Sequence, residues 1–492
     1  MSEVLDFGLV VLVVAGGFLL AVLAIKLTQR FPIPGPAVFL IAAAVISDLY
    51  PDVRDHLSIT SVARIAVVAL IVILFDGGMH VGWRRFRSAA APIALLGVVG
   101  TFATAAVMAT FAHFLFDFSW TTAGILGAAL APTDPAVMFS VLGNREVGGR
   151  SGTILEGESG ANDPVGIALM IGMLDFATHE HASKWIVVRE FSVEMAVGLA
   201  VGLAGAAALL PLMRRVPLPS EGLYPVRTLA AAGLVYGAAT VAHGSGFLAV
   251  FVAGLLVGDA RAPYKAEIER FHTSLASLAE IVVFVALGLT VDLSTFSETH
   301  VWRDGIVLAV LLALVARPVA AIPLLLPARL RWGERLFVVW GGLRGAVPIL
   351  LAAFAVLEGI GQAGRIYGIV FLVVAISVIS QGSSMPFLAE RLGIPMRELE
   401  PEPWDLAIRL RTEPRGVRRF FVDSTARAAG STIRDLPIGA NAWISLVLRE
   451  GEAVQPRGST VLEPGDEVVV LAPSEDARAL ARLFGDSREA AP

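Results

Sequence analysis

A carboxylate stands deep inside an apolar stretch of this chain. Asp163 follows Asn162 within a run from about residue 151 to residue 176, which is long enough to cross a bilayer. Glu158 and Asn162 are spaced to share one helix face, and Ser159 and Asp163 share the neighbouring face. A charge at the bilayer midplane costs at least ~2.5–3.5 kcal/mol. Asp163 is therefore predicted to hold a cation, a proton, or each in turn.

Two further apolar spans are interrupted by polar residues. In one, two prolines bracket Thr133-Asp134; in the other, the glycine- and proline-bearing segment 341–348 carries Arg344. Irregular backbone at membrane depth is tolerated only inside protein or beside a watery cavity, and two such spans point to a transporter's midplane site. Glycine and proline also serve as packing points and kinks in membrane helices. The ionisable residue in each break favours the site.

The polar residues suggest a division of roles. We expect Asp163 to be the exchangeable site, with Thr133 and Ser159 oxygens coordinating a hard monovalent cation. We expect Glu158 to pair with Arg344, because each charge alone would be costly, and a purely structural role for that pair is favoured. The alternative for Asp163 is a neutral, hydrogen-bonded packing carboxyl.

Three other ionisable residues fall within spans. Asp134 lies in the first break, where it is either structural or a direct ligand. Glu280 and Arg317 lie in later spans, and interhelical pairing is the favoured use of both.

The composition identifies a membrane protein. The 492 residues have a mean hydropathy of +0.73 and only 16% charged residues, against about 25% in soluble domains. A net charge of −5 argues against nucleic acid as a partner, and the lack of cysteine excludes disulfides and thiolate metal sites. The acidic N-terminus lacks the features of a signal peptide, so the first apolar run is predicted to be an uncleaved span.

Apolar runs predict about thirteen spans, near 8–25, 34–48, 61–80, 89–115, 120–142, 151–176, 191–213, 226–242, 245–258, 273–291, 305–326, 335–357 and 365–388. Basic residues concentrate in the loops after odd-numbered spans. The positive-inside rule then places the N-terminus outside and the C-terminus in the cytoplasm.

The domain organisation follows from a change in composition near Pro395. Residues 1–395 form the predicted transmembrane domain, and 396–403 form a polar, proline-bearing linker. Residues 404–485 read as a small cytoplasmic α/β domain, because short β-patterned runs alternate with glycine- and proline-containing turns. Residues 486–492 form a tail.

The membrane part resembles the NhaP-type branch of the cation:proton antiporter superfamily. The residues that carry the resemblance stand in family order: Thr133-Asp134-Pro135, Glu158-Ser159-x-x-Asn162-Asp163 and Gly341-Gly-Leu-Arg344-Gly-Ala. The resemblance implies an all-α, NhaA/NapA-like fold with inverted repeats and two broken crossing helices, assembled as a homodimer. It also implies that Asp163 binds ion and proton, that Asn162 replaces an aspartate of the electrogenic branch, and that Arg344 partners Glu158.

The C-terminal part is similar to regulatory domains of the RCK-C or TrkA-C type. The matching segments are Gly430-Ser-Thr-Ile433-Arg-Asp-Leu436, Arg449-Glu-Gly451, Pro456-Arg-Gly458 and Leu462-Glu-Pro-Gly465-Asp466. This similarity implies the potassium/proton subgroup and an unidentified small-molecule ligand, with a nucleotide as one candidate. A glycine-rich phosphate loop is absent from the sequence, which argues against regulation by NAD.

The prediction is a secondary antiporter of the bacterial inner membrane, not an enzyme, with no cofactor. It exchanges K⁺, with Na⁺ as the alternative, for H⁺ in cation, pH and volume homeostasis. Asn162 in place of a second acid predicts electroneutral exchange. The competing functions are a Na⁺(Li⁺)/H⁺ antiporter, a ligand-gated cation channel, and a membrane-bound sensor or enzyme. A buried site at broken helices fits a channel poorly.

Overall fold

The chain divides into two compact units, residues 1–400 and 401–492. The computed structural model describes residues 19, 34–50, 57–134, 136–142, 145–179, 184–297, 299–398, 417–438, 442–449, 452–472 and 477–485. The predicted first span at 8–25, apart from Leu19, lies outside the described residues. So do the linker beyond Glu398 and the tail at 486–492.

The first unit is almost entirely helical. Its helices are α1 (Gly35–Leu49), α2 (Ile59–Ser88), α3 (Ala90–Phe116), α4 (Trp120–Leu130), α5 (Ala136–Leu142), α6 (Gly149–Thr178), α7 (Lys184–Arg215), α8 (Leu223–Val241), α9 (Gly246–Gly258), α10 (Lys265–Gly288), α11 (Val301–Leu325), α12 (Trp332–Trp340), α13 (Ala346–Leu357) and α14 (Ala363–Arg391). Within the described residues, α2, α3, α7, α10, α11 and α14 are long and apolar enough to cross a membrane.

Local signals in the sequence set several helix boundaries. Ser58, Ser119 and Ser245 precede α2, α4 and α9, and each side-chain oxygen accepts a hydrogen bond from a backbone N–H of the first turn. These caps satisfy amide groups that have no partner within the helix. The apolar runs that follow extend each helix into the protein.

Two apolar runs are broken where the sequence predicts. The chain leaves its helix after Leu130, has no regular secondary structure over 131–134, and resumes as α5 at Ala136. It leaves a helix again after Trp340 and resumes as α13 at Ala346. Prolines in the first segment and glycines in the second explain the breaks, because proline lacks an N–H and glycine stabilises helices poorly.

Helix α6 packs directly against the first break. It runs for 30 residues with Pro164 inside it. Gly166 leaves no room for a side chain, because a Cβ there would collide with the ring of Pro132. The segment of α6 around Gly166 and the segment 131–134 are therefore in close contact.

A short ribbon joins the end of the first unit to the start of α6. Strand β1 (Arg145–Val147) pairs antiparallel with β2 (Met396–Glu398), with Arg145 opposite Glu398. The Gly148 N–H continues the ribbon by donating to the Pro395 carbonyl at 2.8 Å. The start of the predicted linker is thus a strand of the first unit.

The second unit is a small α/β domain. Its strands β3 (Val417–Phe421), β4 (Trp443–Arg449), β5 (Glu452–Val454) and β6 (Glu467–Leu471) form one antiparallel sheet in the order β3-β6-β4-β5. Helix α15 (Ala477–Phe484) closes the domain. Alternate residues of the strands face a buried core, in which Phe420 stacks on Phe484.

Candidate functional site

Helix α6 holds the predicted acidic site within the protein interior. Glu158, Ser159, Asn162 and Asp163 are all buried, and Asp163 is only 5% exposed. The Oδ1 atom of Asp163 has no hydrogen-bond partner among the described residues. The alternative of a hydrogen-bonded packing carboxyl therefore does not account for this oxygen, since buried polar groups of the fold are normally paired.

Asn162 connects α6 to the first break through a reciprocal pair of hydrogen bonds. Its Nδ2 donates to Thr133 Oγ1 at 2.6 Å, and its Oδ1 accepts from the Thr133 N–H at 3.3 Å. Thr133 lies in the break, so its N–H has no partner within a helix and can donate to Asn162. The amide of Asn162 thus fixes the position of Thr133. Asn162 directly precedes Asp163 in α6.

The two breaks contact each other. The Asp134 N–H donates to the Leu343 carbonyl at 2.8 Å. Arg344 Nε donates to the carbonyl of Leu130, the last residue of α4, at 2.8 Å. Gly345 is required at its position, because a Cβ there would collide with the Asp134 carboxylate. Backbone groups freed by one break are therefore satisfied by the other, as an apolar surrounding requires.

Glu158 pairs with Arg317 of α11 and not with Arg344. Arg317 Nη1 donates to Oε1 at 2.5 Å and Nη2 to Oε2 at 2.8 Å, and both side chains are buried. The predicted Glu158–Arg344 pair is wrong because backbone carbonyls occupy Arg344: Nε donates to Leu130 and Nη1 to Gly342. The predicted interhelical use of Arg317 is confirmed.

The predicted interhelical pairing of Glu280, in α10, is not seen at its Oε1 oxygen. Its Oε1 is buried and has no hydrogen-bond partner among the described residues.

Two residues that the sequence analysis missed hold the second break. Ser377 Oγ accepts a hydrogen bond from the Arg344 N–H at 3.1 Å, and Gln381 Nε2 donates to the Trp340 carbonyl at 3.0 Å. The available signal was a pair of polar residues spaced i, i+4 in an otherwise apolar span.

Thr133, Ser159 and Asp163, the three predicted cation ligands, are all buried. A carboxylate with two hydroxyl groups is a set of oxygen ligands of the kind that hard cations favour. In the part of the chain that the structure describes, no group of three His, Cys, Asp or Glu residues is placed to hold a metal ion. The cation is a substrate of such a site and not a resident cofactor.

Arg449 organises the second unit. Its Nε and Nη2 each donate to the Asp466 carboxylate at 2.9 Å, and Nη1 donates to Glu463 at 2.6 Å. Burial disfavours the charged form of Asp466. Hydrogen bonds from Arg449 and from the Glu463 N–H outweigh it and hold the pKa of this carboxyl below its usual value.

Helices broken around a buried carboxylate define a membrane transporter, and comparison with known proteins gives its family. Residues 17–391 match the sodium/hydrogen exchanger transmembrane family, and residues 417–485 match the TrkA-C domain. The chain belongs to the sodium/hydrogen exchanger family; it is an integral membrane cation/proton antiporter and not an enzyme. The resemblance to the NhaP-type branch is confirmed.

Individual relatives extend this result. The chain is 32% identical over 472 residues to the K(+)/H(+) antiporter NhaP of Alkalimonas amylolytica, covering 95% of this chain and 82% of that protein. It is 30% identical to the K(+)/H(+) antiporter NhaP2 of Shewanella sp. (strain ANA-3), covering 96% and 83%. The fold is similar to that of the sodium proton antiporter MjNhaP1 from Methanocaldococcus jannaschii, with a TM-score of 0.66, 22% identity, and coverage of 78% of this chain and 100% of that one.

Proposed function

We propose that this protein exchanges K⁺ for H⁺ and that Asp163 carries both in alternation. The observation that supports this is the uncommitted Oδ1 of Asp163, buried where α6 meets two broken helices. A single carboxylate holds a cation or a proton, but not both. Competition at Asp163 therefore couples the two fluxes when the site faces each side of the membrane in turn.

The contacts of Asn162 support one-for-one exchange. Its amide is committed to Thr133 at both polar atoms and carries no titratable proton. Asp163 is then the acid that exchanges in each cycle. One cation replaces one proton, and the cycle moves no net charge.

The neighbouring residues have distinct proposed roles. Thr133 and Ser159 supply hydroxyl oxygens to the cation, and Asp134 holds the first break against the second through its backbone N–H. Glu158 lies beside the site as the charge partner of Arg317. Arg344 serves as a backbone anchor between the breaks.

The choice of K⁺ rests on relatives and on the C-terminal unit. Two relatives that match nearly the whole chain are named K(+)/H(+) antiporters, and the TrkA-C domain accompanies the membrane part here. The alternative is Na⁺ or Li⁺, and the family description names sodium. Cation and pH homeostasis, together with cell volume control, is the proposed physiological role.

The wider arrangement is also part of the proposal. About thirteen spans form inverted repeats in which the two broken helices cross at the ion site. The protein is a homodimer in the bacterial inner membrane, with its N-terminus outside and its C-terminus in the cytoplasm. Loop charges support this orientation.

The domain boundaries proposed are 1–395 for the membrane domain, 396–403 for the linker, 404–485 for the regulatory domain and 486–492 for the tail. The division of the chain after residue 400 falls within this linker, whose first three residues form strand β2 of the first unit. A small molecule, with a nucleotide as one candidate, binds the C-terminal domain and regulates exchange.

The test is proton-driven dye quenching in inside-out vesicles, with K⁺, Na⁺ and Li⁺ added in turn. Wild-type protein should dissipate the proton gradient on addition of K⁺, and Asp163→Asn should abolish this response while the protein remains folded. Asp175→Asn is the matched control, because Asp175 lies on the same helix nearer its end and away from the breaks. Retained exchange in Asp163→Asn would overturn the assignment, and a response to Na⁺ alone would change the ion.

A further inference from the structure

Helix α14 contains a polar patch that the ion site itself does not explain. The helix is interrupted by a π-helical turn at Val378–Gly382. Ser377 directly precedes this turn and is 5% exposed, and Gln381 lies within it and is 4% exposed. Together with Ser384 they form what we call the α14 clasp. π-Helical turns occur frequently at functional sites, and buried polar groups in a membrane span need partners.

The clasp closes on the two ends of the second break. The Arg344 N–H donates to Ser377 Oγ, which in turn donates to Gln381 Oε1 at 2.6 Å. Gln381 Nε2 donates to the Trp340 carbonyl, and Trp340 Nε1 donates to Ser384 Oγ at 2.9 Å. Trp340 ends α12 and Arg344 precedes α13, so the clasp satisfies backbone groups on both sides of the interruption.

The π-helical turn also packs near the second break and near α5, the helix that follows the first break. A Cβ at Gly382 would be 3.4 Å from Leu343 Cδ2 and 3.6 Å from Val137 Cγ1. Leu343 belongs to the second break, and Val137 belongs to α5, which follows the first. Helix α14 is therefore packed where the two breaks come together.

Contacts already described continue from the clasp to the ion site. Arg344 and Leu343 hold the first break through the Leu130 carbonyl and the Asp134 N–H. The next residue along that break is Thr133, which is bonded to Asn162 beside Asp163.

We propose that Ser377 and Gln381 are positioning residues for the cation site. By fixing the second break they fix the first, and thereby the place of the Thr133 hydroxyl relative to Asp163. This inference rests on the proposed function. It predicts that the clasp sets the apparent affinity for the cation and the preference between K⁺ and Na⁺, because both depend on oxygen spacing.

The test compares Ser377→Ala and Gln381→Ala with the wild type in the full-length protein in vesicles. Each variant should raise the apparent KM for K⁺ about tenfold, equivalent to about 1.4 kcal/mol, and change the K⁺-to-Na⁺ ratio. The maximal rate should change by less than about twofold, since the lost contacts affect binding of the cation. Ser377→Thr keeps the hydroxyl and should restore the wild-type KM.

Ser380→Ala is the matched control. Ser380 lies in the same π-helical turn and is exposed. Among the described residues its hydroxyl donates to the Ile376 carbonyl of its own helix. An unchanged KM and ion ratio in both clasp variants would overturn the inference, as would an equal effect of Ser380→Ala. Where Ser377→Ala does not insert, Gln381→Glu gives the same test, because it keeps the acceptor for Ser377 and loses the donor to Trp340.

The wild type and Asp163→Asn are measured in the same vesicles. Cation-dependent exchange that Asp163→Asn abolishes establishes the proposed function independently. An unaltered KM in the clasp variants then counts against the clasp alone.

Discussion

Arg317 of α11 and Glu158 of α6 form a bidentate ion pair, and both side chains are buried. In such surroundings each charge is stabilised mainly by the other, so the loss of one leaves an uncompensated charge. Arg344 lies near this pair but is held by backbone carbonyls. The Glu158–Arg317 pair therefore joins α6 to α11.

Removal of both members of this pair should destabilise the protein by less than the sum of the two single removals. Glu158→Gln and Arg317→Met should each lower the free energy of unfolding by about 3–5 kcal/mol, and the double variant should cost less than their sum. Thermal unfolding of purified protein in detergent measures this. Arg189→Met is the control, because its guanidinium is 78% exposed beside Glu190 and should cost at most about 1 kcal/mol. Additive losses in the double variant would contradict the pairing.

Replacement of Asn162 by an acid should change the electrical character of the exchange. In Asn162→Asp a carboxylate still accepts from the Thr133 N–H, and the Thr133 hydroxyl can turn to donate to it. The site then holds two acids, and transport should become sensitive to an imposed membrane potential.

The measurement is the initial exchange rate in vesicles with and without a membrane potential. That potential is set by the gradient of a permeant ion other than K⁺. The wild-type rate should be unaffected by the potential. Asn162→Ala removes the bonds to Thr133 without adding a charge, so it should weaken cation affinity and stay insensitive to potential. Equal insensitivity in Asn162→Asp would refute the role given to this amide.

The substitution Gly345→Ala should disrupt the contact between the two breaks. A Cβ at this position overlaps the Asp134 carboxylate, so Gly345→Ala must displace Asp134 or the backbone that carries it. We expect exchange to fall at least about tenfold, because a misplacement of about 1 Å in a functional site can cost that much or more. Gly364→Ala is the control, since a Cβ there meets open space. The assay is again dye quenching at matched protein levels; a fully active Gly345→Ala variant would show that the close approach is dispensable.

The sequence predicts the local parts of this site better than its long-range contacts. Prolines around Thr133 and glycines around Arg344 act on their own backbone, so the breaks could be located without a structure. The partner of Glu158 could not be predicted, because two arginines were available. The choice between them depends on which guanidinium donates to the Leu130 carbonyl. Ser377 gave only a weak signal, because a lone hydroxyl in an apolar helix often bonds within its own helix.

The second unit should lose stability in acid through Asp466. Its pKa is held below the ordinary value, so the unfolded state takes up protons first as the pH falls. The stabilisation is complete above about pH 3.9, the ordinary pKa of an aspartate, and is lost as the pH falls through the folded-state pKa. Asp466→Asn should therefore destabilise the unit by about 1–3 kcal/mol at neutral pH, and this difference should shrink in acid.

Hydrogen exchange of the β4 and β6 amides in the full-length protein measures this loss. Glu452→Gln is the control, because Glu452 is an exposed residue of β5. A difference between wild type and Asp466→Asn that stays constant from neutral to acid pH would rule out the Asp466 carboxylate as its source.

The β1–β2 ribbon gives the residues that follow α14 a second attachment within the first unit. Strand β2 is paired with β1, and β1 ends shortly before α6 begins. A displacement of β2 would therefore act on β1 as well as on the end of α14, because backbone hydrogen bonds join the two strands. Through β1 it would reach the first turn of α6, the helix that carries Asp163.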